Sequence, residues 1–124
     1  MKRKRTTESM FAAKLLFQFK VTAKGDTGKR RLCEERIVHV KAPTARVALA
    51  SVKRIAKRAE HRYKNTDGNP VHFQFVGILD LISLLDKYEP EEVWYEWKEM
   101  ITPLERRKKL IPAEQDLSAI RSGY

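Results

Sequence analysis

The side chains able to do covalent chemistry are few, and their spacing limits what they can do. Cys33, Glu35 and His39 share one parity of an alternating stretch, an arrangement that suggests a thiol nucleophile with a histidine base. Six residues separate Cys33 from His39, however, roughly 20 Å along an extended strand and too far for a hydrogen bond. His72 would reach the thiol only through tertiary pairing, so the expected role of Cys33 is that of a buried structural cysteine. Glu34, Glu35 and Arg36 are better read as members of cross-strand ion pairs, with Lys14 as a partner. The three histidines, His39, His61 and His72, lack the close spacing of zinc ligands. Asn65-Thr66-Asp67-Gly68 begins like a calcium loop, but the later ligands are missing and the segment reads as a turn. There is no phosphate-binding glycine loop, no Gly-x-Ser-x-Gly and no pair of helix histidines. The expectation is a non-enzymatic protein with no metal and no cofactor.

Charge is the other chemistry, and it is concentrated. Arg46, Lys53, Arg54, Lys57, Arg58, Arg62 and Lys64 face a single acid, Glu60, so residues 46–64 carry +6. Lys2-Arg3-Lys4-Arg5 adds +4, and together these two stretches account for the formal +10 of the chain. A field localised in this way selects acidic partners, whereas mixed charge mainly confers solubility. Nucleic acid is one such partner, since lysine and arginine neutralise phosphates, with affinity falling steeply with salt. Base reading needs side chains that stack or discriminate, and no aromatic interleaves the cationic face of the expected helix. That favours an acidic protein partner and leaves nucleic acid as the alternative.

Trp94-Tyr95-Glu96-Trp97 is the second candidate surface. On a strand, Trp94 and Trp97 fall on opposite faces, so one packs inward while the other is free to anchor a partner. Glu89, Glu91, Glu92, Glu96 and Glu99 surround it and would repel phosphate, again favouring protein. The same acidic patch offers a landing site for Arg106-Arg107-Lys108-Lys109, in the same chain or in a second copy, and a hydrophobic edge there would pair two copies.

These residues must be positioned by regular elements. From Met10 to Val21, Ala13, Leu15, Phe17, Phe19 and Val21 alternate with polar residues as in a half-buried strand. Lys24 to Lys29 reads as a hairpin loop, and a second strand follows over 31–41. Thr44 is a natural N-cap for a helix over 45–64, whose stripe runs from Ala45 through Leu49, Val52 and Ala56 to Tyr63. Arg46, Lys53, Lys57 and Lys64 lie within about 40° of one another on the opposite side of that wheel. After a turn at 65–69, a third strand covers 71–79, a short helical turn 80–85, and a fourth strand 92–101. The predicted fold is α+β: an antiparallel four-stranded sheet, in the order strand-strand-helix-strand-short helix-strand, with one long amphipathic helix packed across one face. Residues 1–9 form a basic arm, 10–101 a single domain, and 102–124 a charged, partly ordered tail. A content of 42% hydrophobic and 34% charged residues is that of an ordinary soluble globular protein. No apolar run approaches a membrane span, no secretory signal is evident, and the single cysteine suits the cytoplasm.

Phe11-Ala12-Ala13-Lys14-Leu15-Leu16-Phe17, Leu32-Cys33-Glu34-Glu35-Arg36-Ile37-Val38 and Glu60-His61-Arg62-Tyr63-Lys64-Asn65-Thr66-Asp67-Gly68 resemble, in order, blocks of the bacterial family known as domain of unknown function 4288. Phe75-Val76-Gly77-Ile78-Leu79-Asp80 continues the likeness, which spans roughly 10–100. The resemblance implies a small cytoplasmic bacterial domain and carries no catalytic role. The family's central helix is mixed or acidic and this one is basic, so polyanion binding would be a speciality of this member. An immunity or inhibitor protein that covers a toxin or effector is a biological form that fits these expectations.

Overall fold

A computed structural model describes residues 8–25, 28–84 and 95–124. Five strands, β1 (Ser9–Val21), β2 (Arg30–Ala42), β3 (His61–Lys64), β4 (Pro70–Ser83) and β5 (Tyr95–Ile101), form one sheet in the order β3-β4-β1-β2-β5. Every neighbouring pair is antiparallel. The helix α1 (Ala45–Ala59) lies across one face, and two single-turn helices, α2 (Arg107–Leu110) and α3 (Ser118–Arg121), follow β5. Among the described residues no helix is long and apolar enough to cross a membrane.

Alternation in β1 explains why it is central. Phe11, Ala13, Leu15 and Phe17 are buried toward α1, meeting Ala45, Ala48, Leu49, Val52 and Ala56 of its apolar stripe. Thr44 caps α1, its Oγ1 accepting the Val47 N–H at 3.2 Å, and Lys57 and Arg58 in the last turn suit the negative end of the helix dipole. The other sheet face is buried as well. Leu16, Cys33 and Val76 pack with Met100, Leu104 and Ile111, so the segment after β5 roofs the side opposite α1.

Two expected elements differ. The helix ends at Ala59, and His61–Lys64 is a fifth strand. Glu60 turns the chain into extended backbone, its carboxylate accepts the Phe75 N–H at 2.9 Å, and the His61 ring packs 5.2 Å from Phe73, its register partner. Pairing with β4 outweighs a helical period that Tyr63 happens to satisfy. Residues 80–83 are likewise strand, because β1 is long enough to pair with β4 as far as Phe11 opposite Ser83. The carboxylate of Asp80 would cap a helix, but here it accepts from the Ser118 N–H and Oγ, both at 2.9 Å.

Candidate functional site: a cationic cleft

The outward face of α1 exposes Arg46, Lys53, Arg54, Lys57 and Arg58. Lys53 and Lys57, one turn apart, form one wall of a cleft of about 550 Å³. The opposite wall is Arg107 and Lys108 of α2, and the floor includes Phe75, Ile78, Ile111, Pro112 and Leu117. Cations from two elements far apart in sequence thus converge over an apolar floor.

Carboxylates of the same chain answer part of this charge. Lys53 Nζ lies 2.6 Å from Glu114 and Lys57 Nζ lies 3.6 Å from Glu60. The Lys53–Glu114 pair is about half exposed on both sides and Lys57 is largely exposed, so each pair is worth at most about 1 kcal/mol and is readily exchanged. Arg54 donates to the Ser51 hydroxyl at 3.1 Å. Among the described residues Arg46, Arg54, Arg58, Arg107 and Lys108 make no ion pair.

Not every expected site residue joins the cleft. Arg62 and Lys64 sit on β3, away from the helix face assigned to them, because the helix stops before they are reached. Trp97 occupies the β5 position opposite Glu34. Trp94 and the Lys2–Arg5 arm lie outside the described residues. Of the tail cations, Arg107 and Lys108 line the cleft and reinforce α1. Cys33 is buried opposite Gln18 on β1 and Lys98 on β5, whereas His39 pairs with Ala12 and His72 with Lys20. Lys14 and Glu35 pair across β1 and β2 at 3.1 Å, and Glu34 instead holds Arg36 within its own strand at 2.6 Å.

Sequence reasoning missed the device that fixes the α2 wall. Arg31, 4% exposed, donates from Nη1 and Nη2 to both carboxylate oxygens of Glu105 at 2.7 and 2.9 Å, and Nη1 also reaches Gln18 at 3.1 Å. Gln18 in turn donates to Gln74 at 2.9 Å. This bidentate bond holds the Glu105 carboxyl below its ordinary range, against the upward push of burial. The alternation of β1 puts Gln18 on its polar face, and nothing in the spacing of the sequence pairs Arg31 with Glu105, 74 residues further on.

The fold and the cleft together define a small α+β domain with a concentrated cationic surface. Residues 10–93 match the family described as "Domain of unknown function (DUF4288)", and the chain belongs to that family. No curated protein and no solved structure matches it.

Proposed function

We propose that this protein is a non-enzymatic binding module whose α1–α2 cleft docks an acidic surface of a protein partner. The observation that carries this reading is the convergence of Lys53, Lys57, Arg107 and Lys108 over an apolar floor, with Glu114 the one acid among the lining residues. Such a lining suits a segment that alternates carboxylates with aliphatic side chains: the carboxylates meet the walls, and the aliphatic groups leave water for the floor. Glu114 on Lys53 already mimics one such contact. Charge complementarity of this kind speeds encounter and selects partners, and its effect weakens with salt.

The test is a fluorescein-labelled peptide of alternating glutamate and leucine, titrated into the full chain beside its lysine–leucine counterpart. The acidic peptide is expected to bind selectively, and Lys53→Glu with Lys57→Glu to weaken it by about tenfold or more. Equal affinity in the charge-reversed protein, or no preference for the acidic peptide, refutes the reading.

A further inference from the structure

The break in the helix creates a second surface of different chemistry. All four residues of β3 are exposed, and strand geometry alternates them: His61 and Tyr63 on the α1 side, Arg62 and Lys64 on the other. The rings form a ladder out of the core. Phe17 stacks on Phe73 at 4.7 Å, Phe73 meets His61 at 5.2 Å, and His61 stacks on Tyr63 at 5.6 Å. The ladder ends at Tyr63, which is 42% exposed.

Beside Tyr63 is an open cavity of about 250 Å³, with Phe19 and Val71 among its apolar lining and Leu32 and Arg30 at its margin. Asn65 also lines it. The Asn65 Oδ1 accepts from the Asp67 and Asn69 N–H groups, both at 3.0 Å, so its amide nitrogen is left as a fixed donor. On the reverse of the strand, Arg62, Lys20 and His72 line a smaller cavity of about 190 Å³. Arg30 faces Glu99 at 3.8 Å, with both side chains about 60% exposed, which is a contact too weak to hold the guanidinium against a better anion.

We propose that β3 and the adjoining sheet end bind single-stranded nucleic acid, with an unpaired base on the Tyr63 ring and the phosphodiester following Lys64, Arg62 and Lys20 around the strand. An aromatic face accepts any base, and cations on the alternate positions neutralise the backbone, whereas a duplex keeps its base faces stacked inside. The cationic ridge of a helix lacked such rings; the strand supplies them. Because β3 is short, the footprint is a few nucleotides, and about three neutralised phosphates give a log–log salt slope near about −2.

Fluorescence anisotropy of labelled octauridylate and of an eight-base-pair duplex, titrated with the full chain at 50 and 200 mM potassium chloride, tests the proposal. The single strand is expected to bind in the micromolar range, and the duplex about tenfold more weakly. Tyr63→Ala should weaken binding about tenfold while Tyr63→Phe retains it. Arg62→Ala with Lys64→Ala should weaken it and flatten the salt slope, and Lys53→Glu with Lys57→Glu should leave Tyr63-dependent binding in place. No binding at 50 mM salt, equal affinity for Tyr63→Ala and the parent, or loss only in the Lys53 and Lys57 variant would overturn the assignment. So would an acidic peptide that displaces the oligonucleotide with Tyr63-dependent affinity, which would give the ring site to protein.

Discussion

At Gly77 the requirement is space. A Cβ placed there would lie 2.6 to 2.8 Å from three side-chain carbons of Ile111, two of them attached directly to its Cβ, so the clash cannot be relieved at the tip of a flexible chain. Gly77→Ala should therefore cost about 1–3 kcal/mol in urea unfolding. Shortening Ile111 to alanine in the same protein should recover part of it, a coupling of at least about 0.5 kcal/mol. Two titrating side chains give separate pH signatures. Arg31 depresses the Glu105 carboxyl in the folded protein, so its contribution is complete above the unfolded value of 4.5 and is lost as pH falls through the folded value. His72 is lowered from 6.5, first by burial and then by Arg62, so the unfolded chain binds its proton first and folding weakens as pH falls below 6.5. Unfolding midpoints between about pH 7 and pH 5 should thus fall less in His72→Gln than in the parent, and the deficit of Glu105→Gln should shrink only in more acidic solution. A single parallel decline in all three proteins would contradict both assignments.

Elements were legible where a period and a stop signal agreed. Alternation in β1 and β2, the loop between them, and the Thr44-capped stripe of α1 each point to one structure, and the sheet and helix formed accordingly. The end of the helix was not legible, because Tyr63 falls on the helical wheel as well as on a strand. Its choice rests on β4, where Tyr63 pairs with Val71 and the neighbouring His61 ring meets Phe73 at 5.2 Å. Half of the cleft was readable for the same reason: Lys53 and Lys57 follow from the wheel of α1, but Arg107 and Lys108 arrive by a route set by Arg31–Glu105 and by Gly77 against Ile111. Charge alone pointed that run toward Glu89, Glu91, Glu92, Glu96 and Glu99, the first three of which lie outside the described residues. Glu60 is where the element boundary can be tested, since its carboxylate serves the half-buried Phe75 N–H and also Lys57. Glu60→Ala should cost about 1–2 kcal/mol by leaving that donor without its acceptor, whereas Arg58→Ala on the exposed face should stay within about 0.5 kcal/mol. Chemical denaturation of the two variants separates a boundary device from a solvated charge.

At the scale of the molecule, the family match ends at residue 93, but the core is closed by residues nearer the C-terminus. Leu117 and Ala119 are each 1% exposed within the cluster under α1, Asp80 holds Ser118 through two hydrogen bonds, and the Ala45 N–H donates to the Tyr124 carbonyl at 3.1 Å. The final segment thus packs into the same core as the sheet. Leu81, next to Asp80 and 0% exposed in the same cluster, lies outside the cleft lining, and Leu81→Ala should cost about 2–5 kcal/mol, a large share of the roughly 5–15 kcal/mol typical of a small domain, and lower the melting temperature by of order ten degrees. That variant leaves all four cleft cations in place, so well below its melting point it should hold the acidic peptide within about twofold of the parent. Lys53→Glu with Lys57→Glu should do the reverse, because those side chains are exposed and their pairs contribute little to folding. Paired thermal melts and peptide titrations on the two proteins therefore separate the scaffold from the surface. If both measurements move together in either variant, the cleft is not the independent docking surface proposed for it.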